Sequence, residues 1–213
     1  MTPDPREPLT RELIVATALA IVDAHGVDKL SMRRLGQRLG VDPMAVYHHV
    51  PNKAALFDGI VEHVWRGVTP PPQVPGESWH QVLEAVFAAF RARLLEHPRA
   101  VVLVGTRPGT APAMLRLIDE ALARLEVAGL RGKDAMQLID CLSGFTIGKV
   151  LAEIGEPLGG PAPAVESALE AVTAQAHPHL AAAMASGYDF SPQEEFDRGL
   201  RALISGWARS EAR

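Results

Sequence analysis

Residues 30–53, Leu-Ser-Met-Arg-Arg-Leu-Gly-Gln-Arg-Leu-Gly-Val-Asp-Pro-Met-Ala-Val-Tyr-His-His-Val-Pro-Asn-Lys, constrain the fold more than any other stretch of this chain. They read as two short helices joined by a tight turn. Ser31 suits an N-cap, because its hydroxyl can accept from an orphan backbone N–H of the first turn. Met32, Leu35 and Leu39 recur at helical spacing and give the first helix one apolar face. Gly40 can take the left-handed conformation that ends it. Asp42 caps the second helix, and Pro43 occupies its first position, where a missing N–H costs nothing. Val46 and Val50, four residues apart, face inward, which leaves Pro43, Met44, Ala45, Tyr47, His48 and His49 on outward faces.

This order of helices is a helix-turn-helix, and the second helix carries no acid after its cap. Such a helix can place side chains against base edges in a major groove about 12 Å wide. An ordinary helical hairpin with a solvated polar face gives the same pattern. The net charge of −4 over 213 residues argues against a general nucleic-acid coat, so the distribution of charge matters more. Residues 1–66 hold eight Lys/Arg and eight Asp/Glu, and the acidic excess lies wholly beyond them. Within residues 29–53, Lys29, Arg33, Arg34, Arg38 and Lys53 stand against Asp42 alone. A basic patch at one end of an acidic body suits docking onto DNA by one face.

The rest of the chain reads as helix throughout. Thr10 caps a first helix whose inner stripe is Ile14, Ala18, Ile21 and Val22, ended by Gly26. Asn52 starts a fourth, with Leu56, Ile60 and Val64 inward and Lys53 in the first turn, where a phosphate meets free N–H groups. Residues 69–76 contain four prolines and a glycine, which cannot continue a helix and set a boundary between a domain 1–66 and a domain 67–213. Beyond it, Ser78 opens a helix carrying Trp79, Leu83, Val86, Phe90 and Leu94, and residues 105–109 form a Gly/Pro loop. A seventh helix carries Met114, Leu117, Ile118, Leu122 and Leu125, and an eighth runs from about residue 133 to 154. A loop at 155–163, with three glycines and three prolines, precedes a ninth helix over 164–176. The last opens on a Ser191–Glu194 capping box and bears the stripe Phe196, Leu200, Leu203 and Trp207.

A composition 47% hydrophobic supports a substantial core. The single cysteine, Cys141, excludes an intramolecular disulfide and is expected as a small buried apolar residue. No apolar run is expected to reach the roughly 18 residues that span a membrane. The N-terminus, Met-Thr-Pro-Asp-Pro-Arg-Glu-Pro, lacks a basic region followed by an apolar core, so the expected location is cytoplasmic, with no membrane partner. His48, His49 and His63 do not form a metal site, because adjacent helical histidines point about 100° apart and no Cys or His cluster completes a set. No Ser–His, Cys–His or paired-carboxylate constellation stands out, so a small all-α enzyme is not expected, and neither is a cofactor.

The segment from Leu35 through Gly40, Val41 to Tyr47, His49-Val50, Asn52-Lys53 and Ala55-Leu56 resembles the DNA-binding signature of the TetR family of bacterial transcriptional repressors. Gly76-Glu77-Ser78-Trp79, Gly105-Thr106-Arg107-Pro108 and Phe145-Thr146-x-Gly148 resemble the tetracycline-repressor branch. The resemblance implies an all-α homodimer with an N-terminal three-helix operator-binding domain and a larger helical domain that holds a small-molecule pocket. By motif position, Arg33 would meet a base or phosphate, and Pro43, Met44 and Ala45 would approach base edges. Tyr47, His49 and Lys53 would hold phosphates, while His48 stands where that branch carries tryptophan. Phe90, Thr106, Arg107 and Pro108 match pocket positions, and Ile118, Leu122, Met136 and Ile139 would add apolar walls. Gly144, Gly148, Phe196, Leu200, Leu203 and Trp207 would form the dimer interface.

The sequence departs from that branch at its metal–drug site. Leu103 and Ala152 stand where a histidine and a glutamate would, Gly144 replaces the histidine beside Phe145, and Glu153 is one residue out of register. The resemblance therefore implies a repressor released by a small-molecule inducer that is not magnesium-bound tetracycline: a rather apolar ligand with a polar group for Arg107. A DNA-binding regulator with a packed, ligand-free interior fits the same signature.

Overall fold

The computed structural model describes residues 8–107, 110–154, 172–188 and 191–211. It is all-α, and the described residues contain no strand. α1 (Arg11–His25), α2 (Met32–Leu39), α3 (Pro43–His49) and α4 (Lys53–Arg66) make the N-terminal part. α5 (Trp79–Glu96), α6 (Val101–Thr106), α7 (Pro112–Val127), α8 (Gly132–Ile154), α9 (Pro178–Ala185) and α10 (Pro192–Glu211) make the body.

The N-caps read at Thr10, Ser31, Asp42 and Asn52 are in place. The hydroxyls of Thr10 and Ser31 accept from the N–H groups of Leu13 and Arg34, each at 3.1 Å. Asp42 Oδ1 accepts from Met44 N–H and Asn52 Oδ1 from Ala55 N–H, both at 2.8 Å. Gly40 has φ +71°, a left-handed conformation that costs a residue with a Cβ far more than glycine. Ser78 and Gln81 satisfy each other's backbone donors in a capping box at the start of α5.

The buried apolar residues form one cluster running from Ile14 in α1 to Ile204 in α10, through both parts of the chain. α4 joins them: it packs on α1 at one side and on α6 and α7 at the other. α8 lies at the centre of the body, against α5, α6, α7 and α10.

Several expectations need correction. The helix α6 continues through Gly105 and Thr106, so the expected 105–109 loop does not begin before Arg107, and 108–109 lie outside the described residues. The expected ninth helix over 164–176 is not seen at 172–176, and 164–171 lie outside the described residues. A helix stands instead at Pro178–Ala185, and none of its residues is buried. Its Ala-rich sequence has strong intrinsic propensity but no apolar stripe, the signal that would have located it. Cys141 is exposed, because it lies on the outward face of α8. α8 is also long and apolar enough, by length and composition, to cross a membrane, with a mean hydropathy of 1.2. That mean belongs to an 18-residue stretch of the helix that holds at most two charged residues.

Candidate nucleic-acid interface and ligand cavity

The turn between α2 and α3 depends on a residue whose role the sequence did not single out. A Cβ on Gly36 would lie 2.9 Å from the carbonyl oxygen of Val41 and 3.2 Å from the nitrogen of Pro43. Only glycine lets α3 approach α2 this closely. The N–H of Val41 also donates to Gly36 O at 3.0 Å, which closes the turn. Val46 and Val50 are fully buried beneath α3. The outward face of α3 is therefore fixed: Met44 is 64% and Tyr47 42% exposed. His48 and His49 are exposed, with Pro43 and Ala45 half-buried beside them. Arg33 in the first turn of α2 and Lys53 at the start of α4 are exposed, and the Lys53 ammonium lies 5.3 Å from the Phe57 ring centroid. That contact holds the lysine stem against α4 while leaving its charge in water.

In the body, α5, α7 and α8 pack on one another around an open space. They leave a cavity of about 470 Å³, also walled by Trp65 from α4 and Val104 from α6. Trp65 and Phe90 stack inside it with ring centroids 4.4 Å apart and planes 14° apart. Phe90, Ile118, Met136 and Ile139 are among the residues that line it. Trp65, Leu83, Phe87 and Ile147 line it too; of these, only Leu83 is singled out in the sequence, in an apolar helix stripe. Two polar residues reach it, Asp140 and Ser143.

Thr106, Arg107 and Leu122 are not among the cavity's lining residues, and Pro108 lies outside the described residues. Thr106 turns its hydroxyl back to Val102 O at 2.6 Å. Arg107 follows the end of α6 in an extended conformation, which sends its side chain to α4. There its Nε donates to Asp58 Oδ1 at 2.8 Å and its Nη2 to Ala54 O at 3.3 Å. Leu122 packs partly buried against the core beside the cavity rather than into it.

A second tie joins α4 to the cavity wall. Glu62 accepts the N–H of Ala113 at 2.8 Å, so α4 caps the start of α7, where no local side chain does. Glu62 also pairs with Arg66 at 3.2 Å. Near the base of α4, His63 is held below the ordinary histidine value, first by burial and then by the positive charges of Arg93, His97 and Arg66. His97 Nδ1 lies 2.9 Å from Asp23 Oδ2, which links α1 to the end of α5.

The stripe on α10 divides between two surroundings. Phe196 and Leu200 are buried within the protomer, so they are core and not an outer seam. Phe196 stacks on Phe145 of α8 with centroids 5.6 Å apart, and the Arg91 guanidinium of α5 lies 5.1 Å from its ring centroid. Arg91 itself is buried and donates to Glu153 at 2.6 Å and Gln193 at 2.7 Å, which accounts for the position of Glu153 away from the cavity. Leu203 and Trp207 are half-buried. Gly144 and Gly148 are exposed, and a Cβ on either meets nothing within 4 Å. Among the described residues, no group of three or more His, Cys, Asp or Glu is placed to hold a metal ion.

An exposed helix-turn-helix coupled by one long helix to a cavity-bearing helical body defines a ligand-binding type of transcriptional regulator. Residues 14–60 match the family of bacterial regulatory proteins named tetR, and residues 71–210 match the tetracyclin repressor-like C-terminal domain. The chain belongs to the TetR family of bacterial transcriptional regulators. It is 34% identical over 204 residues to an HTH-type transcriptional regulator of Saccharopolyspora erythraea, covering 94% of this chain and 85% of that one. It is 34% identical over 203 residues to the class C tetracycline repressor protein of Escherichia coli, covering 93% and 90%. The crystal structure of the Streptomyces coelicolor TetR family protein ActR with actinorhodin superposes with a TM-score of 0.82 at 28% identity, covering 95% and 97%.

Proposed function

We propose that the protein is a cytoplasmic repressor that binds a near-palindromic operator as a homodimer and leaves it when an apolar small molecule fills the body cavity. The observation that carries this reading is the cavity itself. Its volume lies within the ligand-site range of roughly 300–1,000 Å³, and its walls include the two helices that hold α4. A relative, ActR, is seen in complex with actinorhodin, and the tetracycline repressors are named for their drug. The metal-chelating residues of that branch are replaced here by Leu103, Gly144 and Ala152, so magnesium-bound tetracycline is not the inducer.

On the DNA, Met44, Ala45 and Pro43 read base edges, Arg33 meets a base or phosphate, and Tyr47, His49 and Lys53 hold the backbone, with His48 beside them on the exposed face of α3. The two copies of α3 face successive major grooves about 34–36 Å apart. The dimer forms through α8 and α10. Cys141, Gly144, Gly148 and Leu151 recur on the exposed face of α8, with Leu203 and Trp207 of α10 at its margin. This apolar face is one a second copy can cover, which also accounts for the hydropathy of α8.

Release runs through α4. A ligand that spreads the cavity moves Val104 and Ile118, and with them the C-terminal end of α6 and the N-terminal end of α7. Arg107 on Asp58 and Glu62 on Ala113 transmit that movement to α4, whose N-terminal end carries Lys53 at the DNA. Arg107 is thus a latch between cavity and DNA reader, not a ligand clamp. To shift the dimer from almost fully competent to almost fully released, the ligand must prefer the released state by about 5.5 kcal/mol. Operator DNA must then weaken ligand binding by the same factor.

Selection of an operator from random DNA, followed by footprinting at near-physiological salt, tests the reading. A protected two-fold site is expected, and protection without two-fold symmetry overturns the dimeric operator model. Gly148→Gln is expected to keep the protomer fold and to shift sedimentation toward monomer; a fully dimeric variant moves the interface elsewhere.

A further inference from the structure

The cavity has an electrostatic sign. None of its described lining residues is Lys, Arg or His, and one is an acid, Asp140 on α8. Asp140 is exposed at the rim and, among the described residues, forms none of the ion pairs or hydrogen bonds that occupy the neighbouring acids. Ser143, one turn further along α8, donates its hydroxyl to Ile139 O at 2.7 Å. Its donor is spent, and only lone pairs remain for a ligand. Both polar groups of the site therefore present acceptors. The lining also carries the stacked Trp65 and Phe90 rings. An aromatic face attracts a cation through its quadrupole, and a carboxylate on an apolar surface attracts it more strongly than one in open water.

Resting on the reading of this cavity as the inducer site, the geometry points to a flat aromatic ligand that carries a protonated amine, with the ring system against Trp65 and Phe90 and the ammonium at Asp140 and Ser143. An anionic aromatic acid is disfavoured, because no basic side chain among the described lining residues repays the loss of its hydration.

Three probes that share one tricyclic ring test this: 9-aminoacridine, protonated in mildly alkaline buffer, acridine, neutral there, and acridine-9-carboxylate, an anion. Binding to the full-length protein without DNA is measured by fluorescence titration. The cation is expected to bind about tenfold tighter than the neutral ring, a difference of about 1.4 kcal/mol, and the anion weakest. Asp140→Asn is expected to abolish the preference for the cation while leaving acridine binding unchanged. A thermal melt checks that this surface variant is folded. Equal affinity for all three probes, a preference for the anion, or a cation preference that survives Asp140→Asn overturns the inference and leaves the cavity as the ligand site. Failure of every probe to bind overturns both.

Discussion

The DNA-reading end and the cavity end of this molecule are built by opposite means. At the reading end, every decisive contact is local: Ser31, Asp42 and Asn52 each cap a helix within three residues of themselves, and Gly36 meets Val41 within the same turn. At the cavity end the decisive contacts span the chain. Arg91 reaches Gln193, Arg107 reaches Asp58, and Trp65 stacks on Phe90. The first arrangement gives a rigid surface that presents fixed side chains to DNA. The second leaves space between helices, so that a ligand can move them. A reader must be rigid to discriminate bases, whereas a sensor must have two packings of similar energy.

Phe196→Ala should give the largest effect. It empties a fully buried site between α8, α5 and α10 and should cost about 3–5 kcal/mol in chemical denaturation. Because Phe196 is protomer core, dimerisation of the folded fraction should be unchanged. A variant that unfolds normally but falls to monomer would return Phe196 to the interface and erase that part of the contrast.

Gly36→Ala acts at the other end by pushing a Cβ against the Val41 carbonyl. It should cost about 1–3 kcal/mol and weaken operator binding, with the cavity's affinity for 9-aminoacridine unchanged. Loss of probe binding in this variant would show that strain at the turn reaches the cavity through the core the two ends share. Asp42→Ala removes one cap at the start of α3 and should cost about 1 kcal/mol, with Asp42→Asn nearly neutral.

The junction between the two ends should respond to pH. His63 is held below the ordinary value, so the unfolded chain binds its proton more readily than the folded one. Stability is therefore full above about pH 6.5 and falls as pH drops from there toward and through the lowered folded value. His63→Gln should flatten this part of the stability profile in denaturant titrations; an unchanged slope assigns the effect to other groups.

The smallest effect belongs to Lys53→Ala. It should weaken binding to all DNA sequences alike and lower the salt slope by about 0.9 for each phosphate that is no longer neutralised, one per protomer. A change of preferred base without a change of slope would assign Lys53 to base reading.

The sequence by itself determined the helix-turn-helix, its caps and its outward residues, because each rests on bonds between residues at most a few positions apart. It also determined the family, through the motifs from Leu35 to Leu56. Of the residues that line the cavity, Phe90 was singled out in the sequence by motif position and Ile118, Met136 and Ile139 as apolar helix positions. The tertiary structure alone decided where Arg107 points, because an arginine after a helix end can turn toward a cavity or toward a neighbouring helix with the same local sequence. It placed Arg107 on Asp58, at the other side of a separation of 49 residues. Phe196, Leu200, Leu203 and Trp207 form one apolar stripe in sequence, but only packing divides them, burying the first two against α5 and α8. Apolar periodicity fixes that a helix face is covered, not by what: burial is favourable against any apolar partner, and the partner is chosen by tertiary packing that the local sequence does not carry.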